Sequence, residues 1–277
     1  MSTFQPVIKW SGSKRSQANE LISMFPDEID TYFEPFVGGA SMLRTLIDSG
    51  KSVKNYICSD INQGLIDLWN LIKTNPIDIS NHYKELWTEL NKDDDKERKK
   101  QFFELIRERY NKEHNPLDFM FIMRTTTNGM PRYNKDGNFN NSFHVTRNGI
   151  IPDTLNKIIN EWSYLLNEKN VQFICQDYKA IIPNKNDFVY LDPPYANTKG
   201  MYFGAINNEE LFDFLRNLPC KWMMSFDGIS GDVDNTYEVP KDIYKEHFYI
   251  KSGNSSFKRT IGKSSESIVY ESLYKNF

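Results

Sequence analysis

Thr31-Tyr32-Phe33-Glu34-Pro35-Phe36-Val37-Gly38-Gly39-Ala40 is the stretch on which the fold turns. Thr31 to Phe36 is rich in aromatic and β-branched residues and reads as a strand. Val37 to Ala40 reads as a tight turn, because paired glycines reach backbone conformations closed to other residues and let a ligand approach closely. Ser41 to Ile47 carries helical spacing and stops near Gly50, and Asn55-Tyr56-Ile57-Cys58-Ser59-Asp60 reads as the next strand. Strand, glycine turn, helix and a strand tipped by an acid make a βαβ unit, which predicts an α/β fold on a parallel sheet. The acid, Asp60, is placed to take both hydroxyls of a ribose. The glycines do not follow the Gly-x-Gly-x-x-Gly spacing of dinucleotide sites, so a nicotinamide enzyme fits poorly.

Upstream, Val7 to Arg15 runs through a Gly/Ser turn into an amphipathic stretch, Gln17 to Phe25, which reads as a loop opening a helix. Downstream, Asn62 to Asn111 is helical in pattern, broken by the charge run Lys92 to Lys100, expected as a solvated helix face or loop. Arg124 to Arg147 is different, rich in Thr, Asn and Gly, and Asn134-Lys135-Asp136-Gly137-Asn138 is turn chemistry for a β-hairpin. Strand patterns return at Val171–Cys175, Asp187–Leu191, Lys221–Phe226 and Ser267–Tyr270, with a helix at Asn208–Leu218. The expected organisation is a discontinuous core of residues 1–62 and 160–277, interrupted by a mostly helical insertion, residues 63–159, that ends in the hairpin.

With 277 residues, 39% of them hydrophobic and 14% aromatic, the chain can bury a large core. No apolar signal segment opens it and no stretch approaches a membrane span, so the expected location is cytoplasmic, with no membrane and no obligate protein partner. Cys58, Cys175 and Cys220 form neither a disulfide framework nor a zinc motif, and His82, His114, His144 and His247 are scattered, so chemistry without a metal is expected. The net charge of −3 argues against a generic polyanion binder, yet one basic face can coexist with acidic surfaces elsewhere.

The chemistry is concentrated in Asp192-Pro193-Pro194-Tyr195, directly after the apolar run Phe188-Val189-Tyr190-Leu191. At its plainest this is a strand stop followed by a turn. Its alternative is a site for methylating an exocyclic amine, whose lone pair is drained into a heteroaromatic ring. Asp192 and the Pro193 carbonyl would accept the two amine hydrogens and return that lone pair, while two prolines hold the carbonyl in a fixed direction. Tyr195 adds an aromatic face on which a base taken out of a duplex can stack. Such a transfer needs an electrophilic methyl donor, and the glycine turn with Asp60 offers the parts for S-adenosylmethionine.

The chain resembles the DNA N6-adenine methyltransferases of the Dam and DpnM type along nearly its whole length. The markers are Lys9-Trp10-Ser11-Gly12-Ser13-Lys14, Phe33 to Gly39, Ser59-Asp60-Ile61-Asn62, Pro116-Leu117-Asp118-Phe119, Asn128 to Asn134, Gly137 to Asn140 and Asp192 to Tyr195. The resemblance implies a Rossmann-like class I S-adenosylmethionine-dependent methyltransferase core, with an inserted target-recognition domain acting on double-stranded DNA. It implies that Trp10 and Lys14 border the cofactor, that Phe36, Val37, Gly38 and Gly39 hold its methionine part, Asp60 its ribose, and Asp177 and Tyr178 its adenine. Lys9 and Arg132 fall at base-reading positions; Asn128, Met130 and Asn134 belong to the same DNA-binding set, and Arg124, Lys135 and Arg147 position phosphates. Thr127 stands where relatives carry an aromatic residue, Ser142 replaces a usual proline and His144 a usual small residue. A GATC or GAT-containing target is suggested. The alternatives are an N4-cytosine or RNA adenine methyltransferase, and a non-catalytic DNA-binding module.

Overall fold

The computed structural model describes residues 4–144, 146, 148–194, 206–254 and 268–277. In chain order the elements begin with α1 (Ala18–Ser23), β1 (Glu28–Glu34), α2 (Ser41–Asp48), β2 (Ser52–Asp60) and α3 (Gln63–Thr74). Next come α4 (Pro76–Leu90), α5 (Lys96–Glu113), α6 (Pro116–Thr125), α7 (Pro152–Glu168) and β3 (Gln172–Cys175). The last are β4 (Phe188–Leu191), α8 (Asn208–Asn217), β5 (Lys221–Ser230), β6 (Val233–Asp234), β7 (Glu246–Asn254) and β8 (Ile268–Lys275). They group into two compact units, residues 4–13 with 60–175, and residues 14–59 with 176–194, 206–254 and 268–277.

The second unit is built on a sheet ordered β2-β1-β4-β5-β8-β7, with β6 paired to β5. β1 runs parallel to β2 and to β4, and β4 parallel to β5, whereas β8 lies antiparallel between β5 and β7. This is the Rossmann-like class I arrangement the resemblance implies. Every residue of β4 is buried, as a central strand covered on both faces requires. On one face Leu211, Phe212 and Leu215 of α8 share a cluster with Val189, Leu191, Trp222 and Met224; Phe25, after α1, packs its ring at a tilt 4.5 Å from Phe188. The connections leave β1 in one direction and β4 in the other, so the carboxyl ends of these two neighbours flank the switch point where such sheets hold their ligands.

β2, β5 and β8 run further than their hydrophobic patterns suggested, whereas β3 and β4 stay within theirs. β5 passes through Asp227-Gly228, which resembles a stop, by shifting register between Phe226 and Ile229. A Cβ on Gly228 would lie 2.2 Å from the Tyr270 carbonyl, so only glycine lets the two backbones pass this closely. β7 was not anticipated from its pattern; it is defined by its ladder to β8.

The first unit is mainly helical, and its boundaries are written in cap residues. Asn62, Asn75, Asp95 and Asn115 each accept a backbone N–H in the first turn of α3, α4, α5 and α6, and Pro76, Pro116 and Pro152 occupy initial positions. Trp69 stacks on Phe173 at 5.3 Å and meets Trp162 at 5.1 Å. Residues 4–13 group here because Phe4 packs edge-on against Trp162, whose Nε1 donates to the Gln5 carbonyl at 3.0 Å. The contacts thus assign residues 4–13 and all of α7 to the helical unit, where the sequence reading had divided the chain near residues 62 and 160. The charge run is a built junction as well as a solvated one. Asp95 caps α5, Arg98 donates to the Leu90 carbonyl at 2.7 Å, and Lys99 is buried. No described helix is long and apolar enough to cross a membrane.

Candidate active site

Asp192 follows β4 directly, beside the end of β1, with Pro193 buried behind it. Tyr195 lies outside the described residues. The Asp192 carboxylate is ion-paired through Oδ1 to Lys14 Nζ at 2.7 Å, and the same ammonium reaches Glu271 Oε2 at 3.4 Å. Burial lifts the Asp192 pKa to about 6, with Lys14 pulling it down and Glu271 pushing it up. Burial opposes the charge on Lys14, but the Asp192 and Glu271 carboxylates more than offset this and hold the lysine above its ordinary value. Glu34, the last residue of β1, is buried and accepts the Tyr32 hydroxyl at 2.9 Å. Burial raises its pKa to about 8, which the Tyr32 hydrogen bond opposes and the Asp192 charge reinforces, so this carboxyl is mostly protonated at neutral pH.

In the same unit the turn after β1 folds through Gly38 at φ 45° and Ala40 at φ 53°, left-handed conformations that favour glycine. The Val37 N–H donates to the Ser59 carbonyl at 3.0 Å and the Ala40 N–H to the Val37 carbonyl at 2.7 Å, and α2 starts at once. The Phe36 ring lies 5.5 Å from that of Tyr178, which meets Phe214 edge-on at 5.2 Å. Asp177 accepts the Lys179 N–H at 2.9 Å and fixes the turn carrying Tyr178. Phe36 to Gly39 and Asp177-Tyr178 are therefore brought together, a carboxylate beside rings and a close-approach turn. The Ser59 hydroxyl, buried at the end of β2, makes no hydrogen bond to a described residue. This set suits an adenosine-bearing cation: flat faces for the base, open backbone for an amino-acid tail and excess negative charge nearby. Asp60 and Trp10 belong to the other unit, where Asp60 Oδ1 accepts the Asn62 N–H at 3.0 Å.

The helical unit carries the hairpin residues and Lys9 together. The Ser11 N–H donates to the Gly129 carbonyl at 3.0 Å, and Gly129, at φ 62°, lies so close to Lys9 that an added Cβ would sit 2.8 Å from the Lys9 carbonyl oxygen. Asn128, also left-handed at φ 58°, is exposed, as are Arg132, Asn134 and Lys135, while Met130 is half-buried. Asn134 Oδ1 accepts the Asp136 and Asn138 N–H groups and shapes the turn. The expected β-hairpin has no strands among the described residues, only the isolated bridges Thr126–Phe143 and Tyr133–Phe139. This hairpin-like loop is bracketed by Asn111, which exchanges two hydrogen bonds with the Phe139 backbone, and by Tyr133, whose hydroxyl accepts from Asn62 Nδ2 at 2.9 Å. Arg124 is turned inward and donates to the Pro6 carbonyl, burial lowering its pKa to about 10. Arg147 lies outside the described residues.

Residues 10–257 match the family described as D12 class N6 adenine-specific DNA methyltransferase. The chain belongs to that family. It is 33% identical to a DNA adenine methylase of Serratia marcescens over 68% of this chain and 66% of that protein. It is 32% identical to the type II methyltransferase M.MjaIII of Methanocaldococcus jannaschii over 69% of each. With the type II methyltransferase M.FokI of Planomicrobium okeanokoites it shares 26% identity over 95% of its own length, spanning 42% of that longer protein. The family's description is for adenine in DNA, not for N4 of cytosine or adenine in RNA.

In this D12-class methyltransferase two of the departures meet each other. The Thr127 N–H donates to the Ser142 carbonyl at 3.0 Å, and the two hydroxyls lie 3.4 Å apart. Asn141 Nδ2 donates to the Thr127 and Met130 carbonyls, so the segment is braced by polar contacts around Thr127 and Ser142. His144 continues the bridge, its N–H donating to the Thr125 carbonyl at 3.0 Å. Sequence reasoning missed Glu271 and gave Glu34 and Tyr133 no role. Glu34 and Tyr133 lay inside quoted motifs, whereas Glu271 carried no local signal.

Proposed function

We propose that this methyltransferase binds duplex DNA through its helical unit, reads a short target with Lys9 and Arg132, and methylates N6 of an adenine rotated out of the helix. Bound S-adenosylmethionine supplies an electrophilic methyl group on a sulfonium. Phe36 to Gly39, Asp177 and Tyr178 would hold it; Lys14 borders it while its ammonium stays with Asp192. The observation that carries the reading is the Asp192 carboxylate after β4, ion-paired through one oxygen and backed by a buried proline. Asp192 and the Pro193 carbonyl accept the two hydrogens of the amine and direct its lone pair outward. Tyr195 stacks on the extruded base.

In the hairpin, Arg132 and Lys9 are suited to guanine O6 and N7 in the major groove, with Asn128 and Met130 beside them. Lys135 and Arg147 contact phosphates; Arg124, spent on Pro6, serves the fold instead. Asn134 acts by shaping the turn that presents Arg132 and Lys135.

The test is modification-sensitive sequencing of DNA exposed to the wild-type chain and to Asp192→Ala with S-adenosylmethionine. Methylated adenines at one recurring site are expected for the wild type. The variant should lose transfer by orders of magnitude while retaining cofactor affinity in calorimetry. An active Asp192→Ala enzyme would sink the mechanism.

A further inference from the structure

We propose that Glu271 is a positioning residue for methyl transfer: it shares the Lys14 ammonium, so that Asp192 faces the substrate amine as a net negative group instead of being neutralised by its own ion pair. This rests on the function proposed above and concerns the same site.

Lys14 is 4% exposed, and an ammonium withdrawn from water to that extent needs its charge balanced. One carboxylate would suffice for balance and would leave a neutral pair. The fold supplies two, at 2.7 Å and 3.4 Å, and anchors the second firmly. Glu271 Oε1 accepts the Ser252 hydroxyl at 2.8 Å. Gln17, its amide oriented to satisfy both neighbours, donates to Glu271 Oε2 at 3.0 Å and accepts from Ser252 Oγ at 2.9 Å. Glu271 therefore stands on a hydrogen-bonded platform drawn from β7, β8 and the start of α1, where a purely electrostatic counter-ion would need none. Lys14 takes Asp192 through Oδ1, and the proposal gives the carboxylate's second oxygen to the amine.

The arithmetic of charge gives the platform its consequence. With Lys14 positive and Asp192 and Glu271 negative, the set carries one net negative charge. Glu34, mostly protonated at neutral pH, does not add to it. During transfer the N6 lone pair forms the new N–C bond, the C–S pair returns to sulfur, and positive charge appears on the nitrogen until one of its protons leaves for water. A net negative site stabilises that charge as it develops, whereas a neutral pair does so weakly. Among the described residues, the charged and titratable groups that act on Asp192 are Lys14 from the turn before α1, Glu271 from β8 and Glu34 from β1; Tyr190 from β4 acts on Lys14.

The experiment measures single-turnover transfer of a labelled methyl group from saturating S-adenosylmethionine into the DNA site found by sequencing, from pH 5 to 9. Wild-type activity should fall on the acid side near pH 6, as Asp192 gains a proton. Glu271→Gln removes a like charge, so the acid limb should move to lower pH by about one unit while the plateau rate falls about tenfold. Lys14→Met should move the limb upward, and the double variant should bring it back toward the wild type. A Glu271→Gln limb that stays in place while the rate falls would mark Glu271 as merely structural and overturn the proposal; an upward shift would do the same. If Glu271→Gln does not fold, Lys14→Met decides, and an unmoved limb there overturns the proposal. A wild-type chain that methylates no adenine in DNA would instead overturn the function, which separates the two failures.

Discussion

Gly129→Ala tests how Lys9 is tied to the recognition hairpin. Gly129 sits at φ 62°, and a methyl group there would lie 2.7 Å from Lys9 Cγ, 2.8 Å from the Lys9 carbonyl oxygen and 3.0 Å from its carbon. The Cγ can swing aside, but the carbonyl is backbone, so residues 9–11 must retreat and stretch the hydrogen bond from the Ser11 N–H. The left-handed conformation costs an L-residue about 1–2 kcal/mol. The disturbed hydrogen bond adds about 1 kcal/mol. Alanine stiffens the unfolded chain, which returns about 0.4–1 kcal/mol. With the steric retreat the sum is a destabilisation of about 2–3 kcal/mol. Gly50→Ala is the comparator, because Gly50 has φ 76° with nothing within 4 Å of an added Cβ. It carries the conformational cost alone, about 1 kcal/mol or less after the unfolded-state gain. Urea titration of both variants measures the difference, and competition binding of target against non-target duplexes measures whether the displaced Lys9 loses discrimination. Gly129→Ala no less stable than Gly50→Ala, with discrimination intact, would refute the close approach and the role built on it.

Asp118, fully buried, holds Arg109 through two contacts and His82 Nε2 at 2.7 Å; because the Arg109 side chain is 39% exposed and can turn to water, Asp118→Ala should cost about 1–2 kcal/mol in denaturant, through the lost hydrogen bonds. Burial opposes its ionisation, but His82 and Arg109 more than offset that and hold its pKa below the ordinary value. The stability it contributes is therefore present above the unfolded pKa and is lost as pH falls through the lower folded one, which a denaturation midpoint measured below pH 4 will register. Glu34 has the opposite sign. Its folded pKa of about 8 means the native state keeps a proton that the unfolded chain gives up near 4.5, so stability should decline as pH rises between these values. Glu34→Gln should flatten that decline, read from urea midpoints at pH 5 and 8. Lys135→Ala should lower the salt slope of DNA binding by about 0.9, the loss of one phosphate contact, whereas Arg124→Met should leave the slope alone and lower stability.

Much of this enzyme was legible because its signals are local. The strand–glycine turn–strand unit, the Asp192 tetrapeptide and the Asn134 turn are written within a few residues, where backbone sterics and proline or asparagine chemistry act directly. Lys14 was placed at the site by resemblance, yet its ammonium proves to belong to Asp192 and Glu271. Arg124 looked like a phosphate contact because sequence shows a charge and not the direction in which it points; the burial of α6 turned it toward Pro6. β7 escaped notice because its alternation is weak and its register comes from the ladder to β8. Thr127 and Ser142 read as two separate departures until the hairpin set their hydroxyls side by side.

By itself the sequence determined the chemistry and the architecture of this methyltransferase: a carboxylate and two prolines after a buried strand, a close-approach glycine turn, and capped helices between the halves of the core. Those features depend on torsional preferences and periodic burial, which neighbouring residues encode. The charge state of the site was decided only in the tertiary structure. Threading β8 antiparallel between β5 and β7 carries Glu271 to the same buried ammonium as Asp192, and burial with those neighbours lifts Asp192 to about 6 and Glu34 to about 8. Electrostatic energies inside a protein depend on distance and on the loss of water, and both quantities exist only after the chain has packed.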